Sequence, residues 1–408
     1  MKVAVIGSAL SGNKGAAAML ESGVQQLSAR DTRSRFVLLS MYPRSDAEQN
    51  PYPAMRVLDA SPLRLGVLIN GSALLHRLLP PLRRTIERAV PEVGALATAD
   101  VLLDQGGITF VDGRGKFLIY NVASILPALF VGTPVVKCAQ AMGPFRTPLN
   151  RLAAKALLPR MAAIVSRGAV THEHLMGLGL ANVTAGADLA FTLEVTEHDA
   201  AIARAAVDMT FFDDDDGDVV GVSPSAVLRK SAEANGGDYV AEVQRMIDHL
   251  TGTLGKKVLL VAHSARAHTD KTHNNDLPLC REVFAGLGHT DRVLFPDAEL
   301  SSQALRYLIG RCDVFVASRF HAMVSSLAMG VPTLVIGWSH KYREVLDMFG
   351  LASWAVGHDA YSDEVFAERI GRLLAEQHAV REQLVGALPE VKQRALEQID
   401  IIERVACG

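Results

Sequence analysis

The chain has only four cysteines in 408 residues, Cys138, Cys280, Cys312 and Cys407, and they lie far apart. No pair has the short spacing of a metal-ligand site, and two sit in apolar strand patterns, which points to reduced, buried thiols. No uncharged apolar run approaches the length of a membrane span. The opening stretch MKVAVIGSAL is interrupted too soon for a signal peptide and reads at once as a strand. A formal net charge of −3 gives no general attraction to nucleic acid or to an anionic membrane. Low-complexity segments and short internal repeats are also missing. The loop after the first strand, GSALSGNKGAAAML, lacks both the G-x-G-x-x-G dinucleotide spacing and the Walker Gly-Lys-Ser/Thr ending. These absences leave a cytoplasmic globular protein that binds no nucleic acid as the expectation.

What remains is an ordinary globular composition, 49% hydrophobic and 21% charged, on a chain long enough for two domains. KVAVIG, RFVLLS, ADVLLD, PVVKCA and AAIVS are short apolar runs separated by helical stretches such as NRLAAKALLP. The alternation pauses after GADLAF, passes through the acidic FFDDDDGD, and restarts with DVVGVS, KKVLLVAH, RVLFP, CDVFVAS and PTLVIG. Unbroken apolar strands between helices predict an α/β chain with doubly wound parallel sheets covered on both faces. The predicted division is residues 1–191, a first Rossmann-like domain; 192–362, a second; and 363–408, closing helices that can return to the first.

Ligands of such sheets bind beyond the carboxyl ends of the strands. The residues there are small or polar after almost wholly apolar runs. In the first domain they include Gly106 and Gly107, preceded by Asp104 and Gln105, then Gln140, and Arg167 after Ser166. In the second they are Ser223 with Ser225, His263, and Ser318-Arg319 with His321. If the two domains face each other, these edges line one cleft. Each has a plainer alternative. The glycines suit bends, Asp104 and Gln105 can satisfy loop amides, Ser223 and Ser225 can cap a helix, and His263 can be structural. In the first loop Gly12 and Gly15 permit a close backbone approach, and Asn13 and Lys14 are its polar groups worth testing.

DVFVASRFHAM carries most information. Its strand ends at Ala317, Ser318 is a candidate N-cap, and Arg319 and His321 fall in the first turn of the next helix. A helix start favours anions and offers free N–H groups, so a cation placed there is disfavoured unless an anion is present. Arginine presents a planar fork to carboxylate or phosphate, and histidine titrates near neutral pH. The pair therefore suits an anionic substrate that also needs a proton moved. GWSHKYREV adds Ser339, His340, Lys341 and Glu344 after the next strand. Lys341 is either a second cation for that anion or part of a solvated helix start.

GNKGAAAML, DQGGITFVD, SRGAVTHEHLMGLGL through GADLAF, and SRFHAMVSSLAMGVPTLVIGWSHKYREV together resemble the polysaccharide pyruvyl transferase family over about residues 3–350. The resemblance implies two facing Rossmann-like domains of the GT-B kind. It also implies transfer of pyruvate from phosphoenolpyruvate to two hydroxyls of a sugar, forming a cyclic ketal, with no metal or nucleotide cofactor. The family's Arg-x-His pair falls on Arg319 and His321, its strand-end Ser-Arg on Ser166 and Arg167, and its early glycine motif on Gly12, Asn13, Gly15 and Ala16. Many members have an acidic residue where this chain has Gly168. The roles implied are His321 as general acid/base and Arg319 as the grip on phosphate or carboxylate, assisted by Lys341. Sugars, nucleotide sugars and lipid-linked sugars are the acceptor classes.

Residues 61–90 are leucine-rich and carry five arginines against one glutamate. They read either as a core-facing helix pair broken at the Pro-Pro step or as peripheral contact with the inner face of the membrane. Two other functional classes stay open on sequence grounds. One is a nucleotide-sugar glycosyltransferase of the same fold; the other is a non-catalytic sugar- or nucleotide-sensing module.

Overall fold

The computed structural model describes all residues except 114, 214–217, 267–273, 289 and 338–339, and only the backbone of Asp213 and His340. Part of the acidic FFDDDDGD run, Ser339 and the His340 side chain thus lie outside the described residues. The chain forms two compact units. The first comprises Met1–Ser11, Met19–Thr192 and Lys392–Gly408; the second comprises Gly12–Ala18 and Leu193–Val391.

In the first unit the sheet runs, in spatial order, Met55–Asp59, Arg35–Ser40, Lys2–Ile6, Val101–Asp104, Val135–Gly143, Ala163–Ser166 and Val183–Ala185, with Ile108–Val111 paired to Val135–Gly143. All these pairings are parallel. The first strand shows why its sequence is continuously apolar. Val3 and Val5 enter one core cluster, whereas Ala4 and Ile6 enter the cluster on the opposite face. With both faces buried, alternation disappears from the sequence.

The second sheet runs Val293–Leu294, Lys257–Leu260, Val219–Ser223, Val314–Ala317, Thr333–Gly337 and Ala355–Gly357. It too is parallel throughout. In each sheet the first strand in sequence lies inside, with successive strands added on one side and then the other. The direction reverses between Lys2–Ile6 and Val101–Asp104 in the first unit, and between Val219–Ser223 and Val314–Ala317 in the second. Loops leaving such a switch point part in opposite directions and open a crevice.

The C-terminal part is one 45-residue helix, Asp363–Cys407, rather than several. Ile399, Ile401 and Ile402 from its end belong to the first unit's core. Cys138, Cys280 and Cys312 are buried free thiols, and Cys407 is exposed. Among the described residues, no helix is long and apolar enough to cross a membrane.

Candidate functional site

At the second unit's switch point the chain passes from Val314–Ala317 through Ser318 and Arg319 into the helix Phe320–Ala328. The N-cap position falls on Arg319, not on Ser318, and no side chain caps the helix. Arg319 stays extended, with φ −104° and ψ 134°, while its guanidinium is held by Asp276. Nε donates to Asp276 Oδ2 at 2.7 Å, Nη2 donates to Oδ1, and Nη1 donates to Asn274 Oδ1 at 2.7 Å. Burial disfavours the Arg319 cation, but the Asp276 carboxylate outweighs it and holds the guanidinium pKa above its ordinary value.

Asp276 does more than neutralise a charge. Its Oδ1 also accepts from the Ala226 N–H at 2.8 Å and its Oδ2 from the Ser264 N–H at 2.9 Å. Ala226 follows the strand Val219–Ser223, Ser264 follows Lys257–Leu260, and Arg319 follows Val314–Ala317. One buried carboxylate therefore ties together the loops leaving three adjacent strands. A carboxylate with this many donors gains charge-assisted bonds that offset its desolvation.

His321 lies in the first turn of the helix, half-buried, against the segment Gly12–Ala18. Gly12–Asn13 pairs antiparallel with Ser264–Ala265, and Asn13 Oδ1 accepts from the Gly15 N–H at 3.1 Å. That turn presses Gly15 against the imidazole, where an added Cβ would lie 2.0 Å from Nδ1. Only glycine fits without displacement. Gly15→Ala is therefore expected to shift the imidazole and to cost about 1–3 kcal/mol, the range for overpacking. Urea denaturation with a parallel rate assay checks this; wild-type stability and rate together would refute the close approach. Next to Gly15, Lys14 is buried and its Nζ donates to Glu299 Oε1 at 3.0 Å.

Aromatic contacts bring Lys341 into the same neighbourhood. Its Nζ stands 5.1 Å from the Phe320 ring centre and 5.3 Å from that of Tyr342, within cation–π range. Phe320 in turn meets the His321 ring edge-to-face at 5.0 Å. The Tyr342 hydroxyl donates to the Ser318 carbonyl at 3.1 Å. Lys341 is thus part of a packed cluster at the helix start His340–Asp347, on which Glu344 also lies.

Two buried polar atoms complete the second unit's strand ends. Ser223 Oγ and His263 Nε2 have no hydrogen-bond partner among the described residues. Burial, and then the charges of His321, Arg319 and Arg306, push the His263 pKa well below the usual histidine value. His263 is therefore neutral and offers an uncharged nitrogen. Ser225 occupies an N-cap position, but its hydroxyl makes no cap bond; its N–H donates instead to the Tyr239 hydroxyl at 3.2 Å.

The first unit's strand ends form a separate network. Asp104 binds Lys137 Nζ in a fully buried ion pair, and its Oδ1 accepts from the Gly106 N–H at 3.0 Å. Gln140 is fixed on both ends, with Nε2 donating to the Asp104 carbonyl at 2.6 Å and Oε1 accepting from Thr109 at 2.6 Å. Arg167 Nη1 donates to buried Asp188 at 3.2 Å, and Gly107 lies against the same guanidinium. Ser166 Oγ is 3.1 Å from His172 Nδ1. The predicted residues Gly106, Gly107, Gln140 and Arg167 are thus gathered in the first unit. Asn13, Ser223, His263, Ser318, Arg319, His321 and Lys341 are gathered in the second. Sequence reasoning missed Lys137, Asp188, Asn274, Tyr239 and Glu299, and gave Asp276 no role. A lysine inside the apolar run PVVKCA was the one local signal of a buried partner. Among the described residues, no group of three or more His, Cys, Asp or Glu side chains is placed to hold a metal ion.

The sequence model of the family described as polysaccharide pyruvyl transferase matches residues 13–340. The amylovoran biosynthesis protein AmsJ of Erwinia amylovora is 22% identical over 415 residues, covering 96% of each chain. Among solved structures, UDP-GlcNAc 2-epimerase from Neisseria meningitidis, bound to UDP-GlcNAc, aligns with a TM-score of 0.64 and 13% identity, over 99% of this chain and 100% of that one. A glycosyltransferase from Rickettsia africae aligns with a TM-score of 0.56 and 10% identity, over 99% and 98%. At these identities the structural likeness establishes the fold, which is GT-B-like.

Proposed function

This chain belongs to the polysaccharide pyruvyl transferase family, and from that premise we propose that it moves pyruvate from phosphoenolpyruvate onto two hydroxyls of a sugar, closing a cyclic ketal. The observation that carries this reading is the packing of the Gly15 backbone against His321, beside the buried Arg319–Asp276 pair at the second unit's switch point. A proton carrier and a cation sit together at one helix start, where a parallel sheet binds its ligands.

The chemistry needs both. Protonation of the phosphoenolpyruvate methylene makes C2 electrophilic, and a sugar hydroxyl attacks it. The C2–O bond to phosphate breaks, and a second hydroxyl forms the second C2–O bond. Of the two hydroxyl protons released, one replaces the proton now on the methyl group and the other leaves with inorganic phosphate. His321 supplies and recovers the proton. Arg319 faces the donor anion through the N–H groups that Asp276 and Asn274 do not engage, and Lys341 adds positive charge beside Phe320. His263, held neutral, and Ser223 supply uncharged polar contacts.

The test is to mix the protein with phosphoenolpyruvate and a panel of sugar, nucleotide-sugar and lipid-linked acceptors. Phosphate release that requires both donor and acceptor, with matching pyruvyl mass gain on the acceptor, is expected. An inert phosphoenolpyruvate alongside nucleotide release from a nucleotide sugar would replace this reading with glycosyl transfer.

A further inference from the structure

The first unit carries apolar surface that its core does not use. It spreads over the helical run Arg64–Leu82, the helix Gly115–Val131 and the helix Pro148–Leu157. The run buries Leu65, Ile69 and Ala73 in the core, as a core-facing helix should, and breaks at Pro80-Pro81. Its other side leaves Leu63, Val67 and Leu78 exposed at 83%, 73% and 62%. Ile119, Leu149 and Leu152, exposed at 77%, 68% and 66%, extend this surface from the other two helices. Between the three elements lies an open apolar groove of about 530 Å³ lined by Leu74, Leu118, Ile119, Leu126, Phe130 and Leu149. Scattered exposed leucines are ordinary, but a contiguous apolar patch marks an interaction surface.

The charges on these elements are of one sign. Arg77, Arg151 and Lys155 on them are exposed, as are Arg84 and Arg88 on the helix Arg83–Ala89 that follows the first run. The one carboxylate of residues 61–90, Glu87, is 2.8 Å from His76 Nε2. The helix Pro148–Leu157 has no acidic residue. A second copy of the chain would set like charges against each other across a two-fold contact. An anionic lipid headgroup layer over acyl chains matches both the basic and the apolar components. We propose that this face docks the protein on an anionic bilayer, with the exposed leucines, valine and isoleucine inserted and the arginines at the headgroups. The near-neutral total charge does not oppose this, because screening confines the attraction to the local patch.

Flotation of the full chain with phosphatidylglycerol vesicles, and with phosphatidylcholine vesicles for comparison, tests the proposal without any donor, so it stands or fails apart from the pyruvyl reading. Binding to the anionic vesicles alone is expected, weakened by salt. Each of Arg77→Ala, Arg84→Ala and Arg88→Ala should lower the partition coefficient about fivefold. The double variant Val67→Glu/Leu78→Glu should abolish it, with circular dichroism unchanged. Failure of the wild type to float with phosphatidylglycerol, or undiminished flotation of the double variant, would overturn it. So would a sedimentation dimer that the double variant dissolves, since the face would then be a self-contact.

Discussion

Replacing His321 with alanine is expected to slow phosphoenolpyruvate-dependent transfer by about 10²–10⁴-fold, the usual contribution of a positioned acid or base, while leaving the fold intact and phosphoenolpyruvate affinity close to wild type. The expectation follows from what surrounds the imidazole. It is fixed from one side by the Gly15 backbone and from another by the edge-to-face contact with Phe320, so its position is set before substrate arrives. Proton transfer to carbon is the step that such positioning serves, because the methylene must be met at hydrogen-bond range and in a defined direction. The second histidine nearby cannot stand in for it. Burial and the adjacent charges keep His263 neutral, and a group that resists protonation is a poor source of the first proton. Single-turnover rates and calorimetric phosphoenolpyruvate binding, measured on the same His321→Ala preparation, separate the effects. Near-normal turnover would remove His321 from the mechanism. Lost affinity with unchanged turnover would make it a binding group.

Much of this architecture was legible because it rests on local signals. A parallel strand covered on both faces must be apolar at every position, so KVAVI, VFVA and TLVIG announce themselves, and the small or polar residues that follow mark the loops where a ligand can reach backbone. Arg319 and His321 stood out because a cation at a helix start is electrostatically out of place. What was not legible depends on contacts distant in sequence. Nothing in GNKGA indicates that Gly15 will meet His321, or that Gly12–Ala18 will group with the second unit. Gln140 and Arg167 end buried strands, but the sequence does not name the partners they meet there. Burial itself obliges them to find partners, and Asp104, Thr109 and Asp188 provide them. Arg319 illustrates the same rule. Its misplaced charge implied an anion, and the chain supplies one of its own in Asp276, 43 residues away in sequence.

Asp276→Ala is accordingly expected to cost about 3–5 kcal/mol, the effect of removing one partner from a buried ion pair, and to lower activity as well. Asp276 is fully buried, so the variant leaves the Arg319 cation without its counter-charge and strands the Ala226 and Ser264 N–H groups that the carboxylate had satisfied. Each stranded donor adds to the loss. The result should appear as a lowered urea midpoint. A purely electrostatic part can be isolated by a double-mutant cycle with Arg319→Met. If the pair acts as described, Asp276→Ala in the Arg319→Met background should cost less than in the wild type, by about 0.5–3 kcal/mol of coupling. The remaining cost belongs to the two backbone amides and to the loops they anchor. Asp276→Asn discriminates further, since it keeps the size and an acceptor but not the charge. It should retain more stability than alanine while still failing to hold the Arg319 fork. Additive losses in the cycle would mean that Asp276 serves the loops alone, and that Arg319 takes its position from elsewhere.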